Sequence, residues 1–146
     1  MCPVLELAKY IVVKCIKDKN LISNLQLQKI LYYIQREFLH KLDKPIFFES
    51  IEAWPFGPVV PEVYYYFCGA GAMCIGICDE PKEEVIQSLS NAELNIINSI
   101  IESKRVLNPW DMVAETHMQC GAWDSVYKGG YGNRNVIPID KIRLLG

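Results

Sequence analysis

The sequence predicts a mainly α-helical, compact single domain, residues 1–146, with about five or six helices and a small β element. The chain has 146 residues, 51% of them hydrophobic and 22% charged, a size and composition that suit one hydrophobic core. Apolar residues recur at helical spacing in several segments, and capping motifs precede those segments. Together these observations indicate a helical domain.

The first two helices are marked by an apolar stripe and by their ends. Residues 3–17 form an amphipathic segment, with Pro3 in the position suited to a first helical turn. A second helix follows Ser23 and Gln26, which form a possible capping box, and it ends before Pro45. Its apolar stripe predicts that this helix lies in the core.

Between residues 46 and 78 the pattern changes. Residues 46–53 are rich in β-branched and aromatic side chains and predict a short strand. Pro61 suits the first turn of a third helix that extends to about Cys68. The small and apolar residues 69–78 predict a tight loop followed by a short strand.

The second half contains two further helix starts. Ser90 and Glu93 form a second capping box, and the helix that follows is expected to end near Arg105. Asn108 and Pro109 predict the cap and first residue of a short helix. Residues 128–135 resemble a flexible polar connector, and Asp140 is a candidate cap for a last helical turn. The charged stretch at residues 79–84 predicts a solvated loop.

Charge and hydropathy exclude some classes of partner. Fifteen Lys and Arg against seventeen Asp and Glu give a net charge of −2, and the basic residues are scattered, so we expect no direct nucleic-acid partner. No apolar run approaches the roughly 18 residues that a membrane helix needs, and the N-terminal residues do not resemble a signal peptide. The sequence therefore predicts a cytoplasmic, soluble protein without a membrane partner.

The cysteines and histidines offer the only candidate chemistry. Cys74, Cys78, His117 and Cys120 are four soft ligands, but their spacing is not that of a standard zinc motif. His117 lies within one helical turn of Cys120, although no third residue to orient the pair is identifiable. We expect reduced core thiols, no metal, no catalytic residue, no cofactor and no small-molecule substrate. A zinc-binding protein or an enzyme built on these four residues is the competing hypothesis.

Amide and aromatic residues suggest a protein-binding surface, because Tyr and Trp often anchor interfaces. The candidates lie on the second helix and around the segment at residues 52–64; they are Gln28, Lys29, Tyr32, Tyr33, Trp54, Phe56 and Tyr64. We expect them to form one contiguous face, although the same rings would equally serve to pack the second helix against the loop. Gly57, Pro58 and Pro61 are the predicted structural turn residues of this segment.

These segments resemble the Panacea domain family, which includes SocA-like antitoxins and the phage-associated GepA proteins. The resemblance lies in LQLQKILYYIQREFL at 25–39 and IEAWPFGPVVPEVYYYF at 51–67, with His117 and Trp123 at the family's later His and Trp positions. It covers roughly residues 4–125, and residues 126–146 form a divergent C-terminal tail.

The resemblance implies a bacterial or prophage antitoxin that neutralises a cognate toxin by direct protein contact, without catalysis. Some SocA-like members instead act as proteolytic adaptors that present the bound toxin to the ClpX unfoldase, so a ClpX-type unfoldase is a second expected partner. Other members carry an added helix-turn-helix, for which this chain is expected to have no room.

Overall fold

A computed structural model describes residues 1–146, and it is mainly α-helical with one small antiparallel hairpin, which confirms the predicted fold class. The eight α-helices are α1 (Val4–Lys17), α2 (Asn24–Leu42), α3 (Pro61–Tyr66), α4 (Glu83–Gln87), α5 (Asn91–Lys104), α6 (Pro109–Thr116), α7 (Ala122–Tyr127) and α8 (Ile139–Leu145). The hairpin strands are β1 (Glu52–Trp54) and β2 (Gly57–Val59). Two 3₁₀ turns cover Cys68–Ala70 and Lys128–Gly130.

Helix α2 is the centre of the fold. Its apolar stripe, which includes Leu27, Ile30, Ile34 and Phe38, is fully buried, and α1, α3, α5, α6 and α8 all pack against it. The predicted capping box is present, since the Ser23 hydroxyl accepts from the Gln26 amide. Burial on several sides means that α2 has little free surface, a point that decides where its polar side chains lie.

The predicted starts of α5 and α6 are also confirmed. Ser90 and Glu93 form the second capping box, in which Glu93 Oε1 accepts from the Ser90 backbone N–H at 2.9 Å. Asn108 caps α6 by accepting from the Trp110 backbone N–H at 2.9 Å, and Pro109 occupies the first helical position. These caps satisfy backbone donors that helix ends leave unpaired.

The β element is smaller than the strand expected at 46–53. Residues 46–51 are not a strand. The side chain of Gln35 pairs with their backbone instead: it accepts from the Ile46 N–H and donates to the Phe47 C=O, both at 2.9 Å. The strand expected within 69–78 is likewise absent. That segment instead pairs with the residues before α2 through an isolated bridge between Cys74 and Ser23 and the Ile75 N–H to Ile22 C=O bond at 2.8 Å.

Two short helices, α4 and α7, were not expected. Helix α4 begins in the charged stretch that was expected to be a loop, where the carboxylate of Glu6 accepts from the Lys82 backbone N–H at 2.7 Å. Helix α8 is present as expected, but Asp140 lies inside it and Pro138 occupies the cap position. No helix combines the length and the apolar composition needed to cross a membrane.

The tail at 126–146 belongs to the folded body. The Ala53 N–H donates to Asn135 C=O at 2.9 Å, and Ile137 N–H donates to Ile51 C=O at 2.8 Å, so the tail lies beside β1 as an extended third segment. Helix α8 then packs on α2. The outer edge of β1 is therefore paired, and the tail reaches the residues around the hairpin.

Candidate functional site

Three polar residues of α2 point into the protein and hold the hairpin and α3; we call Asn24, Gln28 and Lys29 the α2 clamp. Gln28 Oε1 accepts from the Val60 N–H at 2.9 Å, while Lys29 Nζ donates to the Pro58 C=O at 3.0 Å. Gln28 also donates to Asn24 Oδ1 at 2.9 Å. The clamp gives partners to backbone groups that burial would otherwise leave unpaired.

Gln28 and Lys29 were expected on an exposed binding face, and on this point the expectation is wrong. Their exposed fractions are 1% and 0%, because the hairpin and α6 cover this side of α2. No carboxylate lies within ion-pair distance of Lys29, and burial lowers the pKa of its ammonium to about 7. Lys29 is thus a buried structural donor.

Gly57 is a turn residue of the hairpin, as expected, but the reason lies in contacts with distant parts of the chain. Its φ is +112°, in the region that favours glycine. A Cβ on Gly57 would lie 2.9 Å from Lys29 Cε and 2.7 Å from Thr116 Oγ1. The missing side chain therefore lets the hairpin approach both α2 and α6. Pro61 is the first residue of α3, as expected.

Tyr32 and Tyr33 are also buried, with 5% and 2% of their surface exposed, so they do not extend an exposed face either. The Tyr33 hydroxyl donates to Glu115 Oε2 at 2.5 Å, and Lys104 Nζ lies 4.2 Å from the Tyr33 ring centroid. Burial raises the pKa of Tyr32 to about 12. Tyr33 therefore ties α2 to α5 and α6, and a binding role for either tyrosine stays a prediction.

Trp54 joins the hairpin to α7 through its backbone. Trp123 Nε1 donates to the Trp54 C=O at 2.8 Å, and the His117 ring stacks on Trp123 with the ring centroids 3.7 Å apart. Burial, and then the nearby Lys29 charge, lower the pKa of His117. The later His and Trp of the sequence thus form an internal stack that supports the hairpin.

The exposed part of the hairpin borders a groove of about 600 Å³, which we call the aromatic groove. Leu25, Trp54, Phe56, Tyr64, Pro109 and Trp110 form most of its apolar lining. Phe56 and Trp110 are 55% and 58% exposed, and their rings meet edge to face with centroids 5.3 Å apart. No lining residue is charged, and the polar part of the lining includes Asn24 and Gln28 of the clamp. The groove therefore offers apolar surface with aromatic walls to another molecule.

One end of the groove continues into an aromatic cluster around Trp54. The Tyr64 ring lies 5.0 Å from Trp54, and the half-exposed Tyr65 ring lies 6.1 Å away, both as centroid distances. The Arg134 guanidinium lies 4.2 Å from the Trp54 ring centroid and donates to the Tyr65 hydroxyl at 3.2 Å. The sequence-based set contained Trp54, Phe56 and Tyr64 but neither Trp110 nor Arg134.

The sequence does predict part of the position of Trp110, since Asn108 and Pro109 place it in the first turn of a short helix. Its distance from Phe56 depends on how α6 docks against the hairpin, which local patterns do not specify. Arg134 lies in the polar connector, where nothing in the sequence relates it to Trp54.

The structure does not bring the cysteine and histidine candidates together. Cys74 and Cys120 are exposed and Cys78 is half-buried, and no group of three or more His, Cys, Asp or Glu side chains is arranged to hold a metal ion. The expectation of core thiols holds for Cys2 and Cys15, but it is wrong for Cys74, Cys120 and Cys68, which is exposed as well. All six cysteines are free thiols.

The proposed pair of His117 and Cys120 is not joined by a hydrogen bond either. The Cys120 backbone N–H donates to Asp124 Oδ2 at 2.9 Å, whereas His117 Nε2 is buried and has no hydrogen-bond partner. The His117 ring is instead fixed against Trp123. Stacking on Trp123 gives His117 a structural role that needs no nucleophile beside it.

Residues 27–124, more than half of the chain, match the family model described as Antitoxin SocA-like, Panacea domain. The chain belongs to this antitoxin family. It is 31% identical over 116 residues to Antitoxin SocA of Caulobacter vibrioides (strain NA1000 / CB15N), an alignment that covers 74% of this chain and 61% of that protein. The chain thus spans about three fifths of the length of the curated relative. No solved structure matches.

Proposed function

We propose that this SocA-like chain is an antitoxin that neutralises a cognate toxin by direct contact, with the aromatic groove at the centre of the interface. The observation that carries the proposal is the exposed pair of Phe56 and Trp110 on the wall of an uncharged groove. Large exposed aromatic rings around a pocket are the usual anchors of a protein interface. Family membership supplies the class of partner.

Binding of this kind needs no reacting group. The groove is lined by no carboxylate, thiol, imidazole or amine, so its chemistry suits apolar burial rather than acid–base or nucleophilic catalysis. A stable complex buries about 1,200 Å² or more in total. The half-exposed Tyr65 on α3, whose ring centroid lies 6.1 Å from that of Trp54, offers further apolar area for an interface of this size.

Co-expression tests the proposal. The protein encoded by the neighbouring reading frame is produced alone and with this chain, and growth of the host is measured. We expect wild type to restore growth and the double variant Phe56→Ala/Trp110→Ala to lose this ability. Phe48→Ala is the matched control, because Phe48 is 70% exposed and is not part of the groove. Full rescue by the double variant would place the interface elsewhere.

The fate of the toxin separates direct neutralisation from delivery to a protease. Direct neutralisation predicts that the toxin persists in a complex that co-purifies with this chain. An adaptor for a ClpX-type unfoldase predicts that the toxin disappears during rescue and reappears when the unfoldase gene is deleted. Toxin abundance in both hosts, measured by immunoblot, distinguishes the two mechanisms.

A further inference from the structure

Arg134 differs from the other three arginines of the chain in having no carboxylate within ion-pair distance. Arg36 pairs with Glu37, Arg105 with Asp18 and Arg143 with Asp43, all within 3.5 Å. Arg134 is exposed, and its single side-chain hydrogen bond goes to the Tyr65 hydroxyl. A guanidinium has five N–H donors, so most of its donors face solvent.

The guanidinium of Arg134 is nevertheless held in place. Trp54 lies beneath it at 4.2 Å and Tyr65 accepts one of its N–H groups, so it is oriented before any partner arrives. Preorganised arginines of this kind lose less conformational entropy on binding and are frequent interface anchors. Trp54 also lines the aromatic groove, so Arg134 contacts one of the side chains that form it.

The backbone at Arg134 is fixed by the pairing of the tail with β1, since its N–H donates to the Ala53 C=O at 2.7 Å. Its φ is +67°, in the left-handed region where asparagine or glycine is less strained than arginine. Arg134 also lies beyond residues 27–124, which match the family model.

We propose that Arg134 is a specificity residue that binds a carboxylate of the cognate toxin, next to an apolar side chain of the same toxin segment in the aromatic groove. The inference rests on the proposed function. An uncharged groove accepts an apolar group, and the free guanidinium beside it complements an acidic one, which it can hold through two parallel hydrogen bonds. The groove provides the apolar anchor, and Arg134 selects a segment with an acid beside it.

Isothermal titration calorimetry with the purified protein that wild type neutralises tests this inference. We expect Arg134→Asn to weaken binding by about tenfold or more, with a thermal midpoint equal to or above that of wild type, since asparagine tolerates the backbone angle. Lys128→Asn is the matched control, because Lys128 is also exposed, lacks an ion pair and has a φ of +51°. Its affinity is expected to stay within about twofold of wild type.

Charge reversal separates recognition of a carboxylate from support of Trp54. Arg134→Glu is combined with toxin variants in which each surface Asp or Glu is changed to Lys, and we expect one toxin variant to restore binding. The salt dependence of the Arg134→Asn affinity should also be weaker than that of wild type.

Two results would overturn the inference alone: an Arg134→Asn affinity within twofold of wild type, or a loss of affinity with no restoring charge reversal. If wild type itself does not bind, or if Phe56→Ala/Trp110→Ala binds normally, the proposed function fails as well.

Discussion

The α2 clamp and the aromatic groove adjoin the same hairpin, yet they have opposite character. The clamp is polar and buried: Gln28 and Lys29 hold Val60 and Pro58 through hydrogen bonds. The groove is apolar and open, with Phe56 and Trp110 more than half exposed. Polar groups lie inside here because the hairpin backbone needs partners, and aromatic rings lie outside because no element of the chain covers them.

The contrast shows that one sequence block serves both stability and recognition. Residues 52–64 contribute Gly57 and Pro58 to the clamped side and Phe56 and Tyr64 to the groove. Trp54 belongs to both, since its carbonyl accepts from Trp123 while its ring borders the groove. Changes on the clamped side should therefore alter the free energy of unfolding, and changes at Phe56 or Trp110 should mainly alter binding.

The largest loss of stability is expected for Gly57→Ala. The new Cβ would clash with Lys29 and Thr116 at a backbone angle that disfavours alanine, and we expect a loss of at least about 3 kcal/mol in the free energy of unfolding. Equilibrium urea unfolding measures it. Gly76→Ala is the matched control, because no atom lies within 4 Å of the position that its Cβ would take. Equal stability of the two variants would show that the corner tolerates a side chain.

Gln28→Ala should have the next largest effect. It leaves the Val60 N–H buried without an acceptor, which costs about 2 kcal/mol. Gln87→Ala removes an exposed glutamine whose amide donates only to Glu83, and it should change stability by less than about 0.5 kcal/mol. The same urea experiment compares them. A Gln28→Ala loss as small as that of the control would mean that water replaces the clamp.

The lowered pKa of Lys29 predicts a smaller, pH-dependent change in the free energy of unfolding. Between pH 7 and 10.5 the unfolded chain keeps the Lys29 proton, whereas the folded protein, with a pKa of about 7, releases it. The unfolded state therefore binds more protons, and stability should rise by roughly 1 kcal/mol per pH unit above pH 7. The measurement is urea unfolding from pH 7 to 8.5. This range lies above the lowered pKa of His117 and below the raised pKa values of Cys2 and Cys78.

Lys29→Met provides the control for that experiment, since it keeps an unbranched side chain of similar length without a titrating group. Its stability should be nearly independent of pH over this range. A slope in the variant equal to that of wild type would assign the pH dependence to other groups.

The smallest effect on stability is expected for Phe56→Ala. Its ring is more than half exposed and contacts Trp110 at its edge, so its removal should cost less than about 1 kcal/mol. Urea unfolding beside Gln28→Ala sharpens the comparison. A loss as large as that of Gln28→Ala would place Phe56 in the structural half of the hairpin.

The sequence predicts those features of the fold that depend on neighbouring residues. The capping boxes at Ser23 and Ser90 and the Asn108–Pro109 start all correspond to helix ends, because each signal acts within one turn. The short helices α4 and α7 lack such signals. Phe56 is exposed, whereas Gln28, Lys29, Tyr32 and Tyr33 of the same candidate face are buried. Hydrophobic periodicity assigns the polar residues of a helix to solvent and does not show which other elements cover them.

Two features of the site depend on contacts between distant parts of the chain. Lys29 is buried because the hairpin offers a carbonyl and Gly57 leaves space, and neither condition is visible in α2 itself. Arg134 reaches Trp54 because the tail pairs with β1, a contact that the polar composition of residues 128–135 does not indicate.

We infer that the aromatic rings of the groove, and not the clamp residues Asn24 and Gln28 that also line it, anchor the partner. The most direct test is the affinity of the Phe56→Ala/Trp110→Ala double variant for the protein that wild type neutralises, measured by calorimetry beside Phe48→Ala. We expect binding at least about 30-fold weaker than wild type for the double variant and unchanged binding for the control. A folded double variant that binds within twofold of wild type would contradict the inference.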